Sequence, residues 1–180
     1  MAEGTGGAPS VVVFLDVDGV LHGAHERHRP FRPHCIEHLR AIVQQSGASI
    51  VLSSNWRLTE WGTKQIDAKL QQAGLAALHG CTHPVEDHFN TRADEILDFL
   101  HRSPGIQHFV ILDDVALNYD DEDAPVPPSL MTRLVKTDED RGLREPDVEA
   151  ALACLATAVD RSTLPPARLF GETSADGAAG

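Results

Sequence analysis

Asp16 and Asp18 stand two positions apart at the end of an apolar run and lead straight into Gly19, in the stretch VVVFLDVDGVL. Two carboxylates so spaced suit phosphate-ester chemistry. Asp16 can attack phosphorus and form an aspartyl-phosphate, splitting hydrolysis into two displacements. Asp18 can protonate the leaving oxygen and later deprotonate the attacking water. Gly19 lets the backbone turn sharply so that amide N–H groups face the phosphate. Two other apolar runs end in matching chemistry: one runs into Ser53-Ser54-Asn55-Trp56-Arg57, the other into Asp113-Asp114. Ser53, or its neighbour Ser54, supplies a short hydroxyl for a non-bridging phosphate oxygen. Asn55 either contacts the substrate or caps the helix that follows, and Arg57 is a candidate for the substrate phosphate. Four carboxylates drawn together repel and raise one another's pKa unless a cation lies among them. Magnesium fits such a site, because it prefers oxygen ligands, keeps several waters and also grips phosphate. Asp113 and Asp114 are the candidate anchors, with Asp114 preferred.

For these residues to meet, the runs that carry them must be parallel strands. Val11 to Leu15, Ser49 to Leu52, Phe109 to Leu112 and Leu130 to Val135 read as strands buried on both faces, the last interrupted by Thr132 and Arg133. Helical spacing lies between them, at Ile36, Leu39, Ile42 and Val43, at Ile66, Leu70 and Ala73, and at Ala93, Ile96, Leu97 and Leu100. Val148, Leu152, Leu155 and Val159 predict a final helix. Pro33 and Pro146 suit first turns, and Gly47 and Gly74 suit helix ends. Alternating strands and helices predict an α/β fold with a doubly wound, Rossmann-like parallel sheet, whose ligands bind outside the carboxyl ends of the strands. Residues 10–164 are expected to form this domain, between a disordered N-terminus, 1–9, and a disordered tail, 165–180, both poor in apolar periodicity.

The three motifs together resemble the haloacid dehalogenase (HAD) superfamily of phosphatases: VVVFLDVDGVL its first motif, IVLSSNWR its second and FVILDD its fourth. The resemblance implies magnesium held by a carboxylate oxygen of Asp16, the backbone carbonyl of Asp18 and an acidic residue of the fourth motif. It also implies a third-motif cation. Arg92, at the start of the helix leading into the LDD strand, is preferred, and Lys64 is the alternative. LSSNWR, a later NTRADEIL, LDD and a following TD-x-x-x-GL are similar to the small HAD-like domains associated with RNA repair proteins. Dehalogenation needs no metal or leaving-group acid, which argues against that chemistry here. A phospho-acceptor receiver module carries its acidic pair in the first strand and a lone acceptor later, the reverse of this order. A silent phosphate- or magnesium-binding domain is the other alternative, set against by the filling of every acidic position.

The formal charge of -12 disfavours broad neutralisation of nucleic-acid phosphates. No apolar run approaches the roughly 20 residues that span a bilayer, and MAEGTGGAPS lacks the features of a signal peptide. A soluble, cytoplasmic protein is expected, with Cys35, Cys81 and Cys154 as free thiols. His22, His25 and His28, with Arg27 and Arg29, read as a solvated loop that lends positive charge to the rim. Trp56 and Trp61 read as core or helix-face anchors. Asp120, Asp121, Glu122 and Asp123, and likewise Asp138 and Asp140, read as solvated loops. Leu21 to Ala48 holds little more than one helix and Leu75 to Thr91 is short, so little or no cap domain is expected. An open site of that kind admits a phosphorylated protein or a nucleic-acid end. Nothing in the residue pattern specifies an oligomeric state.

Overall fold

Strand β1, Val11–Leu15, is apolar at every position because it lies at the centre of a five-stranded sheet with both faces covered. The computed structural model describes residues 8–26, 31–82, 91–119 and 122–168. Every pairing in the sheet is parallel, in the order β3-β2-β1-β4-β5. The partners are β2, Ser49–Leu52, β3, Gly80–Cys81, β4, His108–Asp113, and β5, Leu134–Lys136. Side chains alternate across a strand, so β1 feeds two separate cores. Val13 and Leu15 join Ile50, Leu52, Val110 and Leu112 beneath helices α1, Pro33–Ser46, α2, Glu60–Gln72, and α5, Glu145–Ala156. Val12 and Phe14 join Phe109 and Ile111 beneath α3, Arg92–Arg102. Helices on both faces are what parallel crossovers require.

Local chemistry sets several boundaries. Pro33 starts α1, and Gly47 ends it with its N–H on Val43 O at 2.8 Å. The Thr91 hydroxyl accepts from Asp94 N at the start of α3, which satisfies a free amide and fixes where that helix begins. Strand β3 has only two residues and no apolar run, so its sequence carries no strand signal.

Two expectations need correction. The strand predicted over Leu130 to Val135 is confined to Leu134–Lys136, because Pro128 opens a short helix α4, Pro128–Met131, from which Leu130 enters the second core. Arg133 then turns its guanidinium onto the carbonyls of Cys154, Thr157 and Ala158, at 2.6, 2.7 and 3.0 Å. Val159 lies beyond the end of α5 and donates its N–H to Gln107 O at 2.7 Å. Ala167 abuts the second core, and Arg168 bonds through its N–H, at 2.9 Å, to Asp94, a buried carboxylate that needs donors. Cys35, Cys81 and Cys154 are unpaired. Among the described residues, no helix is long and apolar enough to cross a membrane.

Candidate active site

The sheet order puts β1 between β2 and β4, so the three chemical motifs end side by side. Ser53 N donates to Leu15 O at 2.8 Å and Asp16 N to Leu112 O at 2.9 Å, which carries the sheet ladder to the foot of the site. Asp16, Asp113 and Asp114 each offer a carboxylate oxygen within a group spanning no more than 4.8 Å. Asp16 and Asp113 are buried and Asp114 half-buried. Above them opens a cavity of about 500 Å³ whose lining includes Asp16, Asp18, Ser54, Asn55, Arg92 and Asp114.

Arg92 comes to this cluster from the first turn of α3. Its Nη1 is 3.0 Å from Asp113 Oδ2 and 3.5 Å from Asp16 Oδ1, and it also donates to the Ser53 carbonyl. Burial acts to lower the Arg92 pKa, but Asp113 and Asp16 outweigh it and raise it, so the side chain stays a cation. Burial pushes the Asp113 carboxyl up to about 7, with Arg92 opposing and Asp16 adding to the rise. The Asp114 carboxyl is raised too, first by burial and then by Asp16. One guanidinium therefore leaves three carboxylates short of positive charge, and the oxygen-only donor set fits a hard divalent cation. Both Asp113 oxygens are engaged, Oδ2 by Arg92 and Oδ1 by Val115 N at 3.0 Å, whereas Asp114 lines the cavity. The Ser53 hydroxyl is buried without a hydrogen-bond partner among the described residues. Such a group costs about 1–3 kcal/mol until it gains an acceptor or donor.

Gly19 makes the cluster sterically feasible. It has φ +71°, and a Cβ there would lie 2.2 Å from Asp114 Cγ. A distant segment ties the same turn down: the Thr137 hydroxyl donates to Gly19 O at 2.8 Å and Leu143 N to Val20 O at 2.8 Å. Gly142, at φ +69°, permits that approach, since a Cβ would meet Val20 O at 2.7 Å. The TD-x-x-x-GL stretch thus acts as a strut under the turn, a role that spacing alone does not reveal.

Not all the sequence candidates converge. Lys64 lies on the exposed side of α2, paired with Glu60 at 2.6 Å, and does not line the cavity. Arg57 is buried in an ion pair with Glu95. Ser54, rather than Asn55, caps the turn that follows, accepting from Trp56 N at 3.5 Å, and Asn55 is exposed to the cavity. Asp138 accepts from the N–H groups of Asp140 and Arg141 at 3.1 Å, as a turn residue does.

One correction concerns the rim. His22 is fully buried instead of solvated, because the chain pairs back at an Asp18–His22 bridge and sets the imidazole against Phe31 and Trp56. Of the two readings for Trp61 the helix-face one fits: it stands on α2, is 64% exposed and stacks on Trp56 with ring centroids 5.7 Å apart. Arg27, His28 and Arg29, and Asp120 and Asp121, lie outside the described residues. His25 and Tyr119 also line the cavity, brought there by loops without a motif of their own, and Glu139 reaches it from within the TD-x-x-x-GL stretch.

A family model, the HAD domain in Swiss Army Knife RNA repair proteins, matches residues 12–148, and the chain belongs to that family. No curated protein matches the chain.

Proposed function

We propose that this HAD domain is a magnesium-dependent phosphomonoesterase that removes a terminal phosphate from a nucleic-acid end. The observation that carries the reading is the convergence of Asp16, Asp113 and Asp114 within 4.8 Å beneath an open cavity that Asp18 and Arg92 also line. The description of the family as RNA repair proteins favours a nucleic-acid end over a phosphoprotein.

Asp16 attacks phosphorus as its bond to the leaving oxygen breaks, and Asp18 gives that oxygen its proton. Asp18, now a carboxylate, then takes a proton from the water that attacks the aspartyl-phosphate, which frees phosphate and restores Asp16. The Ser53 hydroxyl donates to a phosphate oxygen, with Ser54 and Asn55 at the cavity wall. Arg92 balances charge on the phosphoryl group and fixes Asp113. A magnesium ion bound to Asp16, the Asp18 carbonyl and Asp114 would neutralise charge developing on the phosphoryl oxygens. The engaged oxygens of Asp113 support Asp114 as the ligand and Asp113 as its neighbour. Arg57 and Lys64, each paired elsewhere, have no part in this scheme.

The net charge of -12 supports recognition of a single terminal phosphate over a long polyanionic tract. The test is a panel of oligonucleotides phosphorylated at the 5′ or 3′ end, a phosphopeptide and 4-nitrophenyl phosphate, each with magnesium or with EDTA. Magnesium-dependent release from an oligonucleotide end is expected. No release from any member, together with failure to bind beryllofluoride, would sink the enzyme reading. Release from the phosphopeptide alone would replace the substrate class.

A further inference from the structure

Asp18 differs from the other site carboxylates in what surrounds it. Its Oδ1 is buried and faces His22 Nε2 at 3.4 Å, so the side chain's 23% exposure belongs to the half that carries Oδ2. Oδ2 accepts a hydrogen bond from the Trp56 indole Nε1 at 3.0 Å. A carboxyl oxygen has two lone-pair directions. The indole occupies one of them and thereby aims the other, the one left for a proton shared with a leaving group.

The indole is itself closely held. His22 and Phe31 pack on it at 6.0 and 5.5 Å between ring centroids, and Trp61 stacks over it from the solvent side. Behind it, the first turn of α2 presses so close that a Cβ at Gly62 would lie 2.1 Å from Trp56 O. Neither ring contact nor backbone leaves the N–H free to swing away from Asp18.

We infer that Trp56 is a positioning residue for proton transfer by Asp18, with His22, Phe31 and Trp61 holding its ring. The inference rests on the phosphomonoesterase reading above, and it adds a dependence on the leaving group. An aryl ester expels its oxygen with little protonation, whereas an alkyl ester needs the proton in the transition state. Loss of the indole N–H must therefore weigh on alkyl esters and spare activated aryl ones, while general damage to the site would weigh on both.

The measurement is kcat/KM for wild type and Trp56→Phe on 4-nitrophenyl phosphate and on an alkyl phosphate such as a nucleotide end, with magnesium. A second protein replaces Trp56 by benzothienylalanine, which keeps the bicyclic shape and lacks only the N–H, so folding is preserved. For both replacements the alkyl ester is expected to lose roughly ten- to a hundredfold, the scale of one hydrogen bond to a charged group, and the aryl ester about twofold or less. Equal losses on both esters, or none on either, would overturn the positioning role while leaving the phosphatase reading intact. An inert wild type would overturn both.

Discussion

Asp16 and Asp18 are the same residue type two positions apart, yet they sit in opposite surroundings. Asp16 lies among carboxylates, with Arg92 at 3.5 Å as its cation. Asp18 lies against rings, held by the Trp56 N–H and flanked by His22. The first setting crowds like charges together, which only a cation makes tolerable. The second sets its carboxylate against the Trp56 and His22 rings, with the indole N–H as its donor. A strand that ends in a tight turn aims successive side chains in different directions, so one Asp-x-Asp reaches two chemical environments.

The sharpest way to break the comparison is on the Asp16 side. Asp16→Asn is expected to lower kcat by at least about a thousandfold, because the amide cannot form the acyl-phosphate. A circular-dichroism spectrum like that of wild type would show the fold kept. If the variant retained a tenth of the activity, Asp16 would not be the nucleophile. Gly19→Ala strikes between the two environments: a Cβ forced against Asp114 should weaken magnesium binding by about 10- to 100-fold in calorimetry, with the indole contact at Asp18 untouched.

A smaller effect comes from Asp113. Its carboxyl is raised to about 7 in the folded protein, above the ordinary value near 4. Between those two values the unfolded chain has released a proton that the folded chain retains, so this group costs stability as pH rises through that window. In EDTA, the Tm of Asp113→Asn should therefore gain on that of wild type from pH 5 to pH 7.5. A constant difference across the range would show that Asp113 is already ionised at pH 5. The smallest effect is expected at Lys64, which lies outside both environments. Lys64→Ala should leave kcat/KM within about twofold and stability within about 0.5 kcal/mol, as for other exposed pairs.

How much could be read beforehand follows the physics of each element. Long apolar runs such as Val11–Leu15 and His108–Asp113 are legible because a central parallel strand must be apolar on both faces. Gly80–Cys81 is not, because an edge strand of two residues depends on pairing with Val51 and Leu52 instead of on its own composition. The site divides the same way. Asp16, Ser53 and Asp113-Asp114 stand at strand ends, where topology alone brings them together. His22 reads as a loop residue among other polar ones, and only the backward pairing at Asp18 buries it. Trp56 reaches Asp18 across 38 residues and Thr137 reaches Gly19 across 118, separations that no local pattern records.

The Thr137 hydroxyl on the Gly19 carbonyl also orders events in time. Asp16 to Gly19 are made before Thr137, and their turn gains its strut only after 118 further residues have followed. Until then β1 can pair with β2 and α1 can form, because those contacts are nearer in sequence. The turn meanwhile lacks its brace, and β4 with Asp113 and Asp114 is late as well. Nascent chains are thus incomplete by construction: a growing copy carries Asp16 long before Asp113, Asp114 and the Thr137 brace that complete the cluster around it.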